Sequence, residues 1–493
     1  MAEEATLAID ELSDDDGSLA RPLCVDLDGT LVRTDTLWES LVVLLRLQPW
    51  IVFLLPLWVL QGRARFKRHV AARVSLDPAV LPYREELVEW LRASASKGRP
   101  IVLSTAADAS VANAVAQHLS FVREVVASDG EKNLKADRKR DSLQARFSAT
   151  GFDYVGDSDA DLPVLAAAQR GYVLGASSAT ASRARAIGDK VRVLSTRRSR
   201  LKPAFKVLRV HQWAKNALVV VPVLLAPAIP SPRALLHAAL AAFTLSLCAS
   251  AGYVFNDLMD VAADRAHQTK RRRPFASGDL PLAYGPPLLL LLLACSFGLA
   301  LTTLPLGFVA MLALYLVITL SYSFYLKSKL MVDVIVLAWL YTHRVVAGGI
   351  ATSVTVSEWL LAFSMFIFFS LAFAKRYIEL RASLAKTPSK IHSRGYYTQD
   401  LGMVASMGPA AGFLAVMVFC LYIESSAVVM IYPHPRLLWF VCPVLFYWIS
   451  RVWFLAHRGE MRDDPVKFAI TDRNSWACAA VIGAIAAIAR FWP

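Results

Sequence analysis

Beyond about residue 200, apolar runs long enough to cross a bilayer follow one another almost to the C-terminus. Nine such segments are predicted, centred near residues 222, 245, 292, 313, 340, 367, 416, 444 and 483. Lipid offers no hydrogen-bond partner to the backbone, so segments of this kind must satisfy their own amides as helices. The expectation is an all-α transmembrane bundle over residues 207–493. Its connections alternate in charge. RAHQTKRRRP, YLKSK, AKRYIELRASLAKTPSKIHSRG and AHRGEMRDDPVK are rich in Lys and Arg, whereas TTLPLG, TSVTVSE and ESSAVVMIYPHPR carry almost none. Nine crossings with the N-terminus inside place every basic loop in the cytoplasm, as the positive-inside rule requires. This arrangement accounts for the net charge of +14 and argues against a nucleic-acid partner. The six cysteines form no CxxC pair, and five lie in or beside apolar runs, which suits small packing residues better than a disulfide or zinc framework.

The N-terminal part reads differently. Residues 1–20 are acidic and polar and are expected to be a disordered leader. From 21 to 195, short apolar runs (PLCVDLD, RPIVLSTA, VREVVASD, FDYVGDS) alternate with helical stretches, the pattern of a Rossmann-like α/β domain with a parallel sheet. Each run carries Asp, Ser or Thr at or next to its end, where such sheets carry their functional groups. One apolar segment, residues 41–60, interrupts the pattern and has spanning length. A single crossing there would separate Asp26 from Thr105. A helical cap over about residues 33–98, lying in the membrane interface, is expected instead. Arg63, Arg65, Lys67 and Arg68 would then face lipid headgroups. A basic linker, 196–206, leads into the bundle.

In VDLDGTL, Asp26 and Asp28 stand two apart at a strand end and project to the same side, an arrangement suited to Mg²⁺ and to attack on phosphorus. Ser104 and Thr105 end the IVLSTA run, Lys135 and Lys139 lie in LKADRKRDSL, and Asp157 and Asp161 lie in GDSDADLP. This ordered set resembles the haloacid-dehalogenase (HAD) phosphohydrolases over about residues 21–190. The resemblance implies Asp26 as nucleophile, Asp28 as general acid and base, and Thr105 (or Ser104) on the phosphoryl oxygens. Lys139, in preference to Lys135, would neutralise developing charge, and Asp26, Asp28, Asp157 and Asp161 would surround one Mg²⁺.

A second constellation, YVFNDLMDVAADRAHQTKRRRPFASG, closes the second apolar segment. Asn256, Asp257, Asp260 and Asp264 recur at spacings of three and four, an acidic stripe on a helix. Carboxylates at a membrane-embedded helix end need compensation, and divalent metal on a diphosphate supplies it. Arg265, Lys270, Arg271, Arg272 and Arg273 offer charge to phosphate oxygens. The NDxxDxxxDR pattern with RPxASG downstream resembles the UbiA prenyltransferase superfamily. That resemblance implies a nine-helix bundle and one or more Mg²⁺ at Asn256, Asp257, Asp260 and Asp264. Most such enzymes carry a second aspartate-rich motif. Here the corresponding stretch offers Tyr322, Lys327, Lys329, a single Asp333, and Arg344.

Cations in place of a second metal cluster resemble the decaprenyl-phosphate phosphoribosyltransferase branch, as do LRVHQWAKN, with Lys215 and Asn216, and AKRYIEL, with Lys375 and Arg376. Val210 departs from the Pro usual there. The branch implies phosphoribosyl diphosphate (PRPP) as donor and polyprenyl phosphate as acceptor. Lys215, Asn216, Arg265, Lys270, Arg272, Arg273, Tyr322, Lys327, Lys329, Arg344, Lys375 and Arg376 would bind substrate. The expected whole is a bifunctional enzyme of a bacterial inner membrane, with the phosphatase part cytoplasmic. It would transfer phosphoribose and then remove the 5-phosphate, giving polyprenyl-phosphoryl-ribose for lipid-linked arabinose or ribose donors. The competing expectation is prenyl transfer from a prenyl diphosphate to an aromatic acceptor, with the α/β domain acting on another phosphorylated lipid or serving regulation. Chain length of the lipid and homo-oligomerisation stay open.

Overall fold

The computed structural model describes residues 19–129, 133–196, 199–226, 229–384, 395–429, 431–461 and 464–492. The expected leader, up to residue 18, and the basic residues of 385–394 lie outside the described residues. The chain divides into two compact units, one of residues 1–207 and 254–288, the other of 208–253 and 289–493. The acidic segment after the second apolar run therefore packs with the N-terminal unit, on the other side of the division from residues 208–253 that precede it.

The first unit is built on a six-stranded parallel sheet of order β3-β2-β1-β4-β5-β6. The strands are β1 Leu23–Val25, β2 Ile101–Asp108, β3 Val122–Ser128, β4 Asp153–Gly156, β5 Gly171–Ala176 and β6 Val191–Thr196. Strands buried on both faces are read as largely apolar runs, as the central β1, β4 and β5 are. Two apolar clusters cover the sheet, one around Leu23, Val25, Leu103 and Leu174, the other around Cys24, Val102, Tyr154 and Val173. β1 lies between β2 and β4, and the strand order reverses there. The crevice beyond its C-terminal end is where such sheets bind ligands.

The cap is helical, but its apolar segment is not one helix. It breaks into Thr36–Leu47, a 3-10 turn Pro49–Phe53, and Leu55–Leu60, followed by Arg63–Ala71. Pro49 and Pro56 each occupy the first positions of a new helical piece, where a missing amide is tolerated. The pieces fold back on a small core of Leu41, Leu44, Ile51, Trp58, Val70 and Val74.

The second unit is helical. Among the described residues, eight helices of the chain are long and apolar enough to cross a membrane. The ninth expected segment, near residue 222, follows an irregular path and not one long helix: helix Leu201–Leu208, a 3-10 stretch Val210–Val220 and a short helix Val221–Leu224. Arg209 sits in the left-handed region between the first two, and Pro222 starts the third. The unit's packing relies on small residues. A Cβ on Gly348 would fall 2.0 Å from the Val219 carbonyl oxygen, so helix Val332–Thr352 presses directly on the 3-10 backbone.

Candidate active sites

The first site forms beyond the C-terminal ends of β1 and β4, beside the second half of β2. Val25 pairs with Leu103 and with Val155, so Asp26 and Asp157, just past β1 and β4, come together beside Ser104 and Thr105 within β2. Asp26, Asp157 and Asp161 are buried, and each offers a carboxylate oxygen within 4.8 Å of the others. Oxygen donors at this spacing suit a hard divalent cation. Gly29, at φ +81°, closes the turn over them; a Cβ there would lie 2.5 Å from the Asp157 carboxylate. Lys139, from helix Asp137–Arg146, donates to Asp26 (2.8 Å) and Asp161 (3.2 Å), while Lys135 is exposed. Tyr154 donates to Asp161 at 2.7 Å, and Ser158 donates to it through both hydroxyl and amide. Tyr154 and Ser158 were not singled out in the sequence; both lie inside the FDYVGDS run.

Burial pushes the Asp26 carboxyl up to about 6, with Lys139 only partly offsetting it. Asp28 stands apart from the carboxylate trio. It accepts from the Thr36 amide at 2.8 Å, and burial together with Asp35 holds its carboxyl well above the usual range. Burial opposes ionisation of Asp161 too, but Lys139 and the Tyr154 and Ser158 donors outweigh it and hold this carboxyl below the usual range. The Thr105 hydroxyl accepts from the Ala107 amide, whereas the equally buried Ser104 hydroxyl has no partner among the described residues.

Asp28 opens into a cleft between cap and sheet, lined by Ser40, Lys67 and Val70 on one side and Ala107 and Asp108 on the other. Lys67 corrects the expectation of a headgroup contact. Its ammonium turns inward, donating to the Ala106 carbonyl (2.6 Å) and to Asn133 (3.3 Å). Arg65 and Arg68 are exposed.

The acidic stripe is interrupted. Helix Pro232–Met259 ends before Asp260, and a short helix, Val261–Ala266, carries Asp264. The bonds Asp260 N–H to Asn256 C=O and Asp264 N–H to Asp260 C=O keep the turns in phase. Asp257 and Asp264 are both buried and converge on one cation, the Arg273 guanidinium, at 3.1 and 2.5 Å. Two carboxylates meeting at one positive point fit a divalent ion in donor type. Arg273 is thus engaged with the acids and not turned toward a phosphate. Arg265 is likewise engaged, in a bidentate pair with Glu39. Lys270, Arg271 and Arg272 are exposed.

In the helical unit, Asn216 accepts from Arg344 (2.9 Å) and donates to Ser246 (2.9 Å). The Arg344 guanidinium also lies against Tyr315 and Tyr341. Lys215 and Lys375 share one carboxylate, Asp464, at 3.0 and 2.9 Å, and hold it well below the usual range against the opposing effect of burial. Asp464 escaped the sequence reading because its partners lie 249 and 89 residues away. Arg376, expected to bind substrate, is fully buried, paired with Asp333 (2.5 Å) and Glu379 and hydrogen-bonded to Tyr322. Asp333 also accepts from Tyr396 at 2.8 Å. Lys327 is half-buried, and the exposed Lys329 lies over the Tyr325 ring.

A parallel α/β unit with a carboxylate-lysine centre, joined to a polytopic helical unit whose sequence is interrupted by a segment with a buried aspartate pair, defines a membrane-embedded enzyme class. Residues 217–486 match the UbiA prenyltransferase family, and the chain belongs to that family. It is 37% identical over 465 residues to the uncharacterized protein y4nM of Sinorhizobium fredii, covering 94% of this chain and 89% of that one. That match runs through both units. It is 37% identical over 273 residues to the nodulation protein NoeC of Azorhizobium caulinodans, covering 55% of this chain and 87% of NoeC. Over 178 residues it is 36% identical to the decaprenyl-phosphate phosphoribosyltransferase of Corynebacterium glutamicum, a match spanning 36% of this chain and 54% of that enzyme. The chain is an integral membrane protein with an additional N-terminal α/β unit.

Proposed function

We propose that the chain transfers 5-phosphoribose from PRPP to a polyprenyl phosphate and then hydrolyses the 5-phosphate, giving polyprenyl-phosphoryl-ribose. In the first reaction a phosphate oxygen of the lipid attacks ribose C1, the C1–O bond to diphosphate breaks, and diphosphate leaves. Asp257, Asp260 and Asp264, with Asn256, would hold Mg²⁺, which supplies charge to the leaving diphosphate. The observation that carries the choice of donor is Asp333. It is the one acid in the stretch where most relatives in the superfamily keep a second aspartate-rich motif. It is buried, paired with Arg376 and hydrogen-bonded by Tyr396, which among the described residues leaves Asn256–Asp264 as the acidic cluster for metal in the transferase part. Among the described residues Lys215 and Lys375 share the Asp464 carboxylate as counter-ion and so carry net positive charge, suited to a donor richer in phosphate than a prenyl diphosphate. The named phosphoribosyltransferase relatives support the same donor.

The second reaction falls to the α/β unit, read as a HAD-type phosphatase. Asp26 attacks phosphorus, and the ribose 5-oxygen leaves with a proton from Asp28. Water, deprotonated by Asp28, then hydrolyses the aspartyl-phosphate. Lys139 neutralises charge gathered on the phosphoryl oxygens and Asp26, while Thr105 hydrogen-bonds those oxygens. Asp26 and Asp157, with Asp161 beside them, would hold the Mg²⁺ that screens nucleophile from phosphate. A raised Asp28 pKa suits a group that must carry a proton at neutral pH. We place this unit on the cytoplasmic face, with Phe53 and Leu60, 83% and 84% exposed, at the lipid interface.

The test is transfer itself. Membranes holding the chain should move label from ribose-labelled PRPP into lipid only with polyprenyl phosphate and Mg²⁺ present. Asp257→Asn should lower that rate at least about 100-fold. Label entering lipid from a prenyl diphosphate with an aromatic acceptor, and none from PRPP, overturns the donor assignment.

A further inference from the structure

The acidic segment Asn256–Asp264 ends in Arg265, and this arginine is not free to meet a phosphate. Its guanidinium grips the Glu39 carboxylate at 2.6 and 3.0 Å and donates through Nε to the Ala276 carbonyl at 2.9 Å. The pair is desolvated: the side chains are 8% and 3% exposed. Glu39 stands in the first turn of the cap helix Thr36–Leu47 and also accepts from the Thr34 hydroxyl at 2.7 Å. The same short stretch reaches the phosphatase-type centre. The Thr34 carbonyl accepts from the Gly29 amide at 3.0 Å, and the Thr36 amide donates to Asp28. One hexapeptide, Thr34–Glu39, is therefore bonded to the DLDGT loop through its backbone and to the acidic segment through its side chains.

A second contact, independent of charge, lies beside it. Gly278, in the PFASG turn after the acidic segment, has φ +77°, and a Cβ there would sit 2.7 Å from Arg33 Cβ and 2.8 Å from its carbonyl oxygen. The turn is seated flush on the residue that precedes Thr34. The downstream end of the acidic segment is thus positioned by the α/β unit, through a buried ion pair and a backbone contact no larger residue would allow.

From this geometry, and resting on the proposed transferase reading, we infer that Glu39 is a positioning residue for the diphosphate-metal segment, acting through Arg265. The α/β unit then has two jobs: it carries the phosphatase centre, and it fixes the carboxylates Asp257 and Asp264 for the transfer reaction. Free phosphatase and transferase halves would not reproduce the fused chain, because the transferase half alone lacks the partner of Arg265.

The test uses the full chain in lipid nanodiscs. In Glu39→Gln, amide exchange across residues 258–280 should accelerate at least about tenfold, while β1 and β4 keep wild-type protection. Initial transfer from PRPP should show a raised KM for PRPP and Mg²⁺ with a smaller change in kcat. Arg265→Gln should do the same, and the double variant should be no worse than either single one, since both break one contact. Exchange across 258–280 unchanged in both single variants overturns the inference whether or not PRPP is the donor. Faster exchange with no transfer from PRPP in the wild-type chain keeps the positioning role and sinks the donor reading alone. If Glu39→Gln fails to fold, Gly278→Ala is the second probe and should loosen the same peptides.

Discussion

Lys139 is the residue on which the first centre turns. It is buried between Asp26 and Asp161, and without it two carboxylates and the Tyr154 hydroxyl would share a site with no cation from the protein. Lys139→Met should therefore lower stability by about 3–5 kcal/mol in Mg²⁺-free buffer, and a thermal melt of the full chain checks it. Added Mg²⁺ should restore part of the loss without restoring hydrolysis. The pH profile follows from the two aspartates. Asp26 must be ionised to attack, and burial pushes it up to about 6, so hydrolysis should fall as pH drops through that region. Bound Mg²⁺ moves this limb lower. Asp28 must be protonated to release the alcohol, so its raised pKa extends activity upward, and the alkaline limb should disappear in Asp28→Asn along with most of the rate. A hydrolysis rate that keeps climbing on acidification contradicts the assignment. Much of this centre was legible in the sequence, because each strand delivers its chemistry at its own end. Lys67 and Glu39 were not legible: both turn inward through contacts made by distant segments, and neither sits in a pattern.

At the level of elements, the cap shows what composition can and cannot reveal. Residues 41–60 are apolar enough to suggest a crossing, yet Pro49 and Pro56 cut them into pieces too short for one. Half the apolar side chains turn inward onto Leu44 and Ile51; the others, among them Trp50, Phe53, Leu57 and Leu60, remain exposed. Burying each of these in lipid would contribute about 1.5–3 kcal/mol. Phe53→Glu with Leu60→Glu should raise KM for a lipid-linked 5-phosphate at least about tenfold, leaving hydrolysis of a soluble aryl phosphate unchanged. Equal losses on both substrates would assign the ridge to folding instead. The same limit explains the helix count. Hydropathy near residue 222 is that of a crossing, but Pro222 and the left-handed Arg209 break the backbone into short turns. Arg376 illustrates it at one position: AKRYIEL suggested a phosphate ligand, while Asp333, Glu379 and Tyr322 enclose it.

For the whole molecule, the α/β fold and the acidic segment 254–288 belong to one compact unit. We place this unit at the face where the charge alternation of the loops predicts the cytoplasm. Under the proposed reaction sequence, a product released with its 5-phosphate intact would meet the phosphatase-type centre of the same chain at high effective concentration. The family relationship covers the helical part; the succession of the two reactions is the account's central claim. It is tested most directly by giving ribose-labelled PRPP, polyprenyl phosphate and Mg²⁺ to wild-type and Asp26→Asn chains and identifying the labelled lipid. The account predicts lipid-phosphoryl-ribose from the wild type and the 5-phosphorylated lipid, accumulating at an undiminished initial rate, from Asp26→Asn. The same dephosphorylated lipid from both chains would contradict it.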